Sequence, residues 1–241
     1  MSKMALRPAS ESGDAIRRWP TLRSKAWTLQ FLSEASDNDN IIAIVAVGSA
    51  VRSAVPSVDL DLVVICRESV NLRAKPPLEI DLRAYLADHV DEQIARGNDL
   101  LGWTVKFGRV LLQRDGYWDG VEESWRDRLP LPAADVAAQR AAQAFHRLTS
   151  VLELGDLDAA EEQALSYVTH LARAELLKHN VYPASRPELP AQLRNIGALP
   201  IADRLEQLID PAADHATEIS KLVEGRHLTG DCTRRPRSNR R

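Results

Sequence analysis

Cysteine is almost missing from this chain: its 241 residues include two, Cys66 in an apolar run and Cys232 near the C-terminal end. Two such thiols supply neither a disulfide framework nor a paired metal-ligand spacing. Long hydrophobic runs are missing as well. The longest, residues 41–47, has seven residues, against the roughly 20 needed to span a bilayer. The opening stretch MSKMALRPASESGDAIRR has no apolar core and no small-residue cleavage site of the secretory type. A cytoplasmic, reduced protein with no membrane span is therefore expected. The chain also lacks an overall excess of one charge, with 31 Lys and Arg against 34 Asp and Glu. That balance conceals an uneven distribution. Residues 230–241 hold five arginines and one aspartate, which leaves 26 basic and 33 acidic residues, a net −7, for residues 1–229. An acidic body argues against broad nucleic-acid binding, which depends on cations neutralising phosphates. It does not exclude nucleotides.

What is present is the composition of a soluble globular protein, 44% hydrophobic, 5% aromatic and 27% charged. Leu22, Trp27, Leu29 and Leu32 approximate helical spacing within residues 20–33. After the polar breaker at 36–40 comes IIAIVAV, a β-branched run ending at Gly48, as a buried strand should. Residues 58–66 and 78–86 are the next two expected strands, with Pro76 and Pro77 in the loop between them. Residues 91–106 have a mostly helical pattern, and 109–113 followed by Asp115 and Gly116 a short strand and turn. The prolines at 130 and 132 mark a linker. Beyond it, Ala137, Ala141, Ala144, Leu148 and Leu152 line one face of a long helix that stops at Gly155. A second long helix is expected from Asp158, with Glu161 completing a capping signature, to about Asn180. Ser185 and Glu188 repeat the signature, although Pro190 should delay that start. Shorter helices follow through Gln192, Leu205 and 219–222. The expected fold class is α+β, a mixed sheet with helices followed by an all-α bundle, with domains at 1–128 and 129–229 and a disordered basic tail at 230–241.

The chemistry concentrates in Val47-Gly48-Ser49, nine intervening residues, then Asp59-Leu60-Asp61-Leu62-Val63. Side chains two apart share a face of a strand. Two carboxylates there repel each other and are costly to bury unpaired. A divalent cation removes that cost, and hard oxygen ligands with no histidine or cysteine nearby favour magnesium or manganese. Asp81 on the third strand is a possible third ligand, and three acids can hold two ions. Gly48 lets the backbone approach a bound group, amides around Ser49 suit an anion if they open a helix, and Arg52 offers a planar fork to phosphate oxygens. Lys106 is a further phosphate candidate, with a solvated helix position as the plainer reading.

This pattern resembles the signature of the nucleotidyltransferase fold, the DNA polymerase beta superfamily, in its minimal and kanamycin-nucleotidyltransferase-like branches. The resemblance covers residues 20–128 and rests on Gly48, Ser49, Asp59 and Asp61, with Asp81 standing where the family has its third carboxylate. It implies transfer of a nucleoside monophosphate, AMP from ATP in the first instance, to a hydroxyl of a small molecule or partner protein, with release of pyrophosphate. It further implies that Asp59, Asp61 and Asp81 ligate two Mg²⁺ ions, or Mn²⁺, that Asp81 acts as base, and that Ser49 holds the β and γ phosphates. The helical region is similar to the all-α domains that follow such units, where Lys178, Arg186 and Arg194 are available to an anion. A homodimer or partner protein is compatible with this arrangement.

Plainer readings stand beside these. An isolated Asp-x-Asp is more often the polar face of a half-exposed strand. The Arg-x5-His spacings at Arg140 and His146 and at Arg173 and His179 suit a HEPN-type ribonuclease, but chance accounts for them. Trp103, Trp118 and Trp125 are expected in packing rather than base stacking. A module of the same fold that binds nucleotide without turnover, antitoxin-like or regulatory, is the alternative to the enzyme.

Overall fold

The computed structural model describes residues 15–52, 58–69 and 75–225, so the basic tail lies outside the described residues. The protein is α+β. It divides into two units, one of Met1–Pro132 with Ala184–Glu188, the other of Ala133–Pro183 with Leu189–Arg241. Residues 184–188, expected in the helical domain, thus side with the first unit. Among the described residues no helix is long and apolar enough to cross a membrane.

The first unit is built on a four-stranded mixed sheet of order β3-β2-β1-β4. Its strands are β1 (Ile41–Val47), β2 (Leu60–Cys66), β3 (Ile80–Leu86) and β4 (Arg109–Gln113). β1 runs antiparallel to β2 and β4, and β2 runs parallel to β3. β1 is buried at all seven positions, which explains why IIAIVAV does not alternate. One face carries Ile44, Ala46, Leu60, Leu62, Val64 and Ile80 against Phe31, Leu32 and Ala35 of helix α1 (Leu22–Ser36). The opposite face carries Ala43, Val45, Val47, Val63 and Ile65. It packs on Val90 and Ile94 of α3 (Ala87–Ala95), Leu101 of α4 (Asp99–Phe107) and Trp118 and Val121 of α5 (Tyr117–Trp125).

The ambiguous stretch 91–106 proves to be two helices. They are separated by Gly97 at φ +78°, and Asn98 caps the second by accepting the Leu101 amide at 3.0 Å. Helix α5 has no counterpart in the expected elements. Trp118 in it is fully buried and donates its indole N–H to Glu122 at 2.9 Å, a packing role. Trp103 tilts against Phe107, and Trp125 donates to Asp91.

In the helical unit α6 (Ala134–Glu153) and α7 (Leu157–Lys178) form a hairpin turned by Gly155 at φ +75°. Ala160, Ala164, Val168 and Ala172 recur every four residues on α7 and are buried in its core. Leu189 and Leu193 of α8 (Leu189–Asn195), Leu205 of α9 (Leu199–Ile209) and Ile219 and Leu222 of α10 (His215–Glu224) close the same core. The cap of α7 is Asp156, which accepts the Ala159 amide at 3.0 Å, two residues before the expected Asp158. Pro190 sits in the first turn of α8, where its missing N–H has no helical partner to lose.

Candidate functional site

Strand pairing gathers the candidate residues at one end of the sheet. Val47, at the end of β1, pairs with Asp61 at the start of β2, which pairs in turn with Asp81 at the start of β3. On the other side Ala46 pairs with Arg109, so the start of β4 and the end of α4 come to the same end. β2 is buried everywhere except at Asp61. By alternation Asp61 lies on the face of Val63 and Ile65, as an acidic terminus to an apolar strip. Paired residues on parallel strands point the same way, so Asp81 joins it there.

Gly48 makes room for this carboxylate. Its φ is +91°, a region that side-chain-bearing residues avoid, and a Cβ there would stand 2.8 Å from Asp61 Oδ2. Burial, then the charges of Asp59 and Asp81, push the Asp61 carboxyl up to about 6, with Arg83 opposing them. Asp59 lies one residue ahead of β2 and is exposed. Asp81 is also exposed, and both of its oxygens are engaged by Arg83, Nε to Oδ1 at 3.0 Å and Nη2 to Oδ2 at 3.1 Å. Among the described residues no three His, Cys, Asp or Glu side chains converge closely enough to hold a metal ion. Asp59 and Asp61 fit a divalent cation in their chemistry: hard oxygens, mutual repulsion, and one carboxylate that burial makes costly to ionise. Asp81 does not join that fit while Arg83 holds it.

Ser49 opens α2 (Ser49–Arg52), a single turn whose Ala50 and Val51 are fully buried. At its end Arg52, expected to meet phosphate, meets protein. Its Nε and Nη2 bond both oxygens of Glu188 at 3.0 and 2.6 Å, and its guanidinium lies over the Phe107 ring, 4.2 Å from the centroid. Glu188 is fixed in turn by the Ser185 hydroxyl at 2.5 Å and the Ser185 amide at 3.3 Å. Burial alone would raise the Glu188 carboxyl, but the Arg52 and Ser185 hydrogen bonds and the Arg52 charge hold it below the usual range. Lys106 is exposed in the last turn of α4, beside Phe107. In the helical unit Lys178 pairs with Glu175 at 3.2 Å, and Arg194 with Asp203 at 3.1 Å and Glu206 at 2.5 Å. Arg186 is exposed.

Sequence reasoning missed Glu188, Phe107 and Arg83. Ser185 and Glu188 do carry a visible Ser-x-x-Glu signal. The carboxylate serves the Ser185 amide as a capping box would, and also serves Arg52, 136 positions away. Side chains of the Arg52 and Glu188 pair are 23% and 27% exposed, so losing one partner strands a desolvated charge. Arg52→Ala and Glu188→Ala are each expected to destabilise the protein by about 1–3 kcal/mol, and the double variant by clearly less than the sum. Urea unfolding of the four proteins measures this, and additive losses would show that the pair contributes nothing.

No protein-family model matches the chain. No curated protein matches it either. Among solved structures the chain is similar to a nucleotidyltransferase-like protein from Exiguobacterium sibiricum, with 17% identity and a TM-score of 0.41 over 82% of this chain and 71% of that one.

Proposed function

We propose that this protein is a nucleotidyltransferase that moves a nucleoside monophosphate from a nucleoside triphosphate, ATP in the first instance, to an acceptor hydroxyl. The observation that carries this reading is the Asp61 carboxylate, half-buried at the end of an apolar strand against a glycine that leaves room for it, with two further acids beside it. A fold does not keep a costly charge there for stability. In the reaction the acceptor oxygen attacks the α phosphorus, the bond from that phosphorus to the bridging oxygen breaks, and pyrophosphate leaves with the electron pair. Asp59 and Asp61 would hold the divalent cation, Mg²⁺ or Mn²⁺, which when bound neutralises charge on the phosphates. Ser49, at the turn beyond Gly48, would contact the β and γ phosphates. Asp81 would take the acceptor proton. In-line transfer needs positioning and charge neutralisation more than covalent chemistry, and these residues supply both in kind.

One observation favours the second reading, a module that binds nucleotide without turning it over. The carboxylate that would serve as base is engaged by Arg83 through both oxygens. Incubation with labelled triphosphates, Mg²⁺ and a panel of hydroxyl acceptors separates the two. Pyrophosphate release by the wild type that is lost in Asp61→Ala supports the enzyme. Saturable binding of nucleotide with no release supports the module, and equal turnover in both proteins would refute the assignment of the site.

A further inference from the structure

The acidic end of the sheet already contains a cation of its own. Arg83 follows Asp81 by two residues on β3, so both side chains stand on the same face, Asp81 opposite Asp61 and Arg83 opposite Val63. The guanidinium lies alongside Asp81, with Nη2 donating to Oδ2 at 3.1 Å and Nε 3.0 Å from Oδ1. It is near enough to act on Asp61 as well, where its charge opposes the two neighbouring acids.

We infer that Arg83 takes the position a second metal ion would need at Asp81, so that this site binds one divalent cation, on Asp59 and Asp61, rather than two. The inference rests on the nucleotidyltransferase reading and departs from the two ions that the family resemblance implies. Charge counting supports it. Asp81 carries one negative charge when ionised, and the Arg83 guanidinium beside it already balances that charge. A second ion would have to bring two positive charges beside the guanidinium. Tethering favours the arginine too. It is on the same strand as Asp81 and is present at high effective concentration, whereas a metal ion must be drawn from solution. Both side chains are more than half exposed, at 63% and 51%. The exclusion is therefore one of charge and occupied oxygens, not of closed space, and removing the guanidinium should open the position.

The test is a Mn²⁺ titration of the full chain followed by electron paramagnetic resonance of free Mn²⁺. It is run with a saturating non-hydrolysable ATP analogue and corrected for Mn²⁺ held by the analogue alone. The wild type is expected to bind about one ion per chain, and Arg83→Gln about two. Arg83→Met, which keeps the apolar stem, serves as the second variant if the amide finds a new partner. About two ions on the wild type, or about one on both variants, would overturn the inference while leaving the nucleotidyltransferase reading intact. Binding that is identical in wild type and Asp61→Ala would overturn the reading itself, and the inference with it. Melting temperatures measured alongside separate a change in ion count from a change in fold.

Discussion

Asp61→Asn should leave the protein more stable than the wild type above pH 6 and without the proposed nucleotidyltransferase activity. Burial and two neighbouring acids push this carboxyl up to about 6, from about 3.9 in an unfolded chain. The folded state therefore holds its proton more tightly than the unfolded state does. Between those values stability falls as pH rises, and above pH 6 the full cost of the buried charge is present, on the order of 3 kcal/mol at most. Asparagine has nearly the same shape and no charge to ionise. At pH 8 the variant should melt higher by roughly 5–10 °C, and near pH 4, where the wild-type carboxyl is protonated, the difference should vanish. Activity should fall roughly a thousandfold or more, since the proposed ligand for the divalent cation is gone. Mg²⁺ should raise the melting temperature of the wild type at pH 8 but not that of the variant. A variant that melts below the wild type at pH 8 would show that the carboxylate is stabilised in the fold rather than strained by it.

Gly48→Ala should produce the opposite balance, losing both stability and function. The backbone at φ +91° costs an L residue about 1–2 kcal/mol, and the new methyl would stand 2.8 Å from Asp61 Oδ2. The carboxylate is the end of a short side chain, so it can swing aside, and the backbone strain then dominates. A loss of about 1–3 kcal/mol is expected in urea unfolding. Nucleotide transfer should disappear because Asp61 no longer faces its neighbours. In an Asp61→Ala background the same substitution should cost only the strain, so the two changes should not add. Full additivity would mean that the glycine and the carboxylate are independent.

Much of the candidate site was legible in the chain because its residues break local rules. An aspartate within a run as apolar as LDLVVIC has no structural reason to be there, and a glycine ending a β-branched strand signals an unusual backbone. Arg83 was legible in principle, since alternation puts it on the face of Asp81, but reading it required knowing that β2 and β3 run parallel in register. Glu188 was not legible as a partner of Arg52. Its Ser-x-x-Glu context gave it a satisfactory local explanation, and no sequence rule pairs positions 136 apart. Helix α5 escaped for another reason. Trp118, Val121 and Trp125 do recur at helical spacing, but Asp115-Gly116 before them and Gly120 among them look like loop chemistry. Burial of Trp118 against the sheet outweighs that weak propensity.

The kinds of element and the placing of Gly48, Asp59 and Asp61 follow from neighbouring residues alone. Hydrophobic periodicity, caps and backbone freedom all act within a few positions. The charge state around those residues does not follow in this way. Whether Asp81 faces Asp61, whether Arg83 neutralises it, and whether Arg52 is free for a phosphate or held by Glu188 depend on strand register and on a distant five-residue return to the sheet unit. Electrostatic energies depend on distance in space and on burial, and both arise when the chain closes on itself. The near balance of 31 basic against 34 acidic residues therefore says little about function. The proposed function rests on how some of those charges pair at one end of a small sheet.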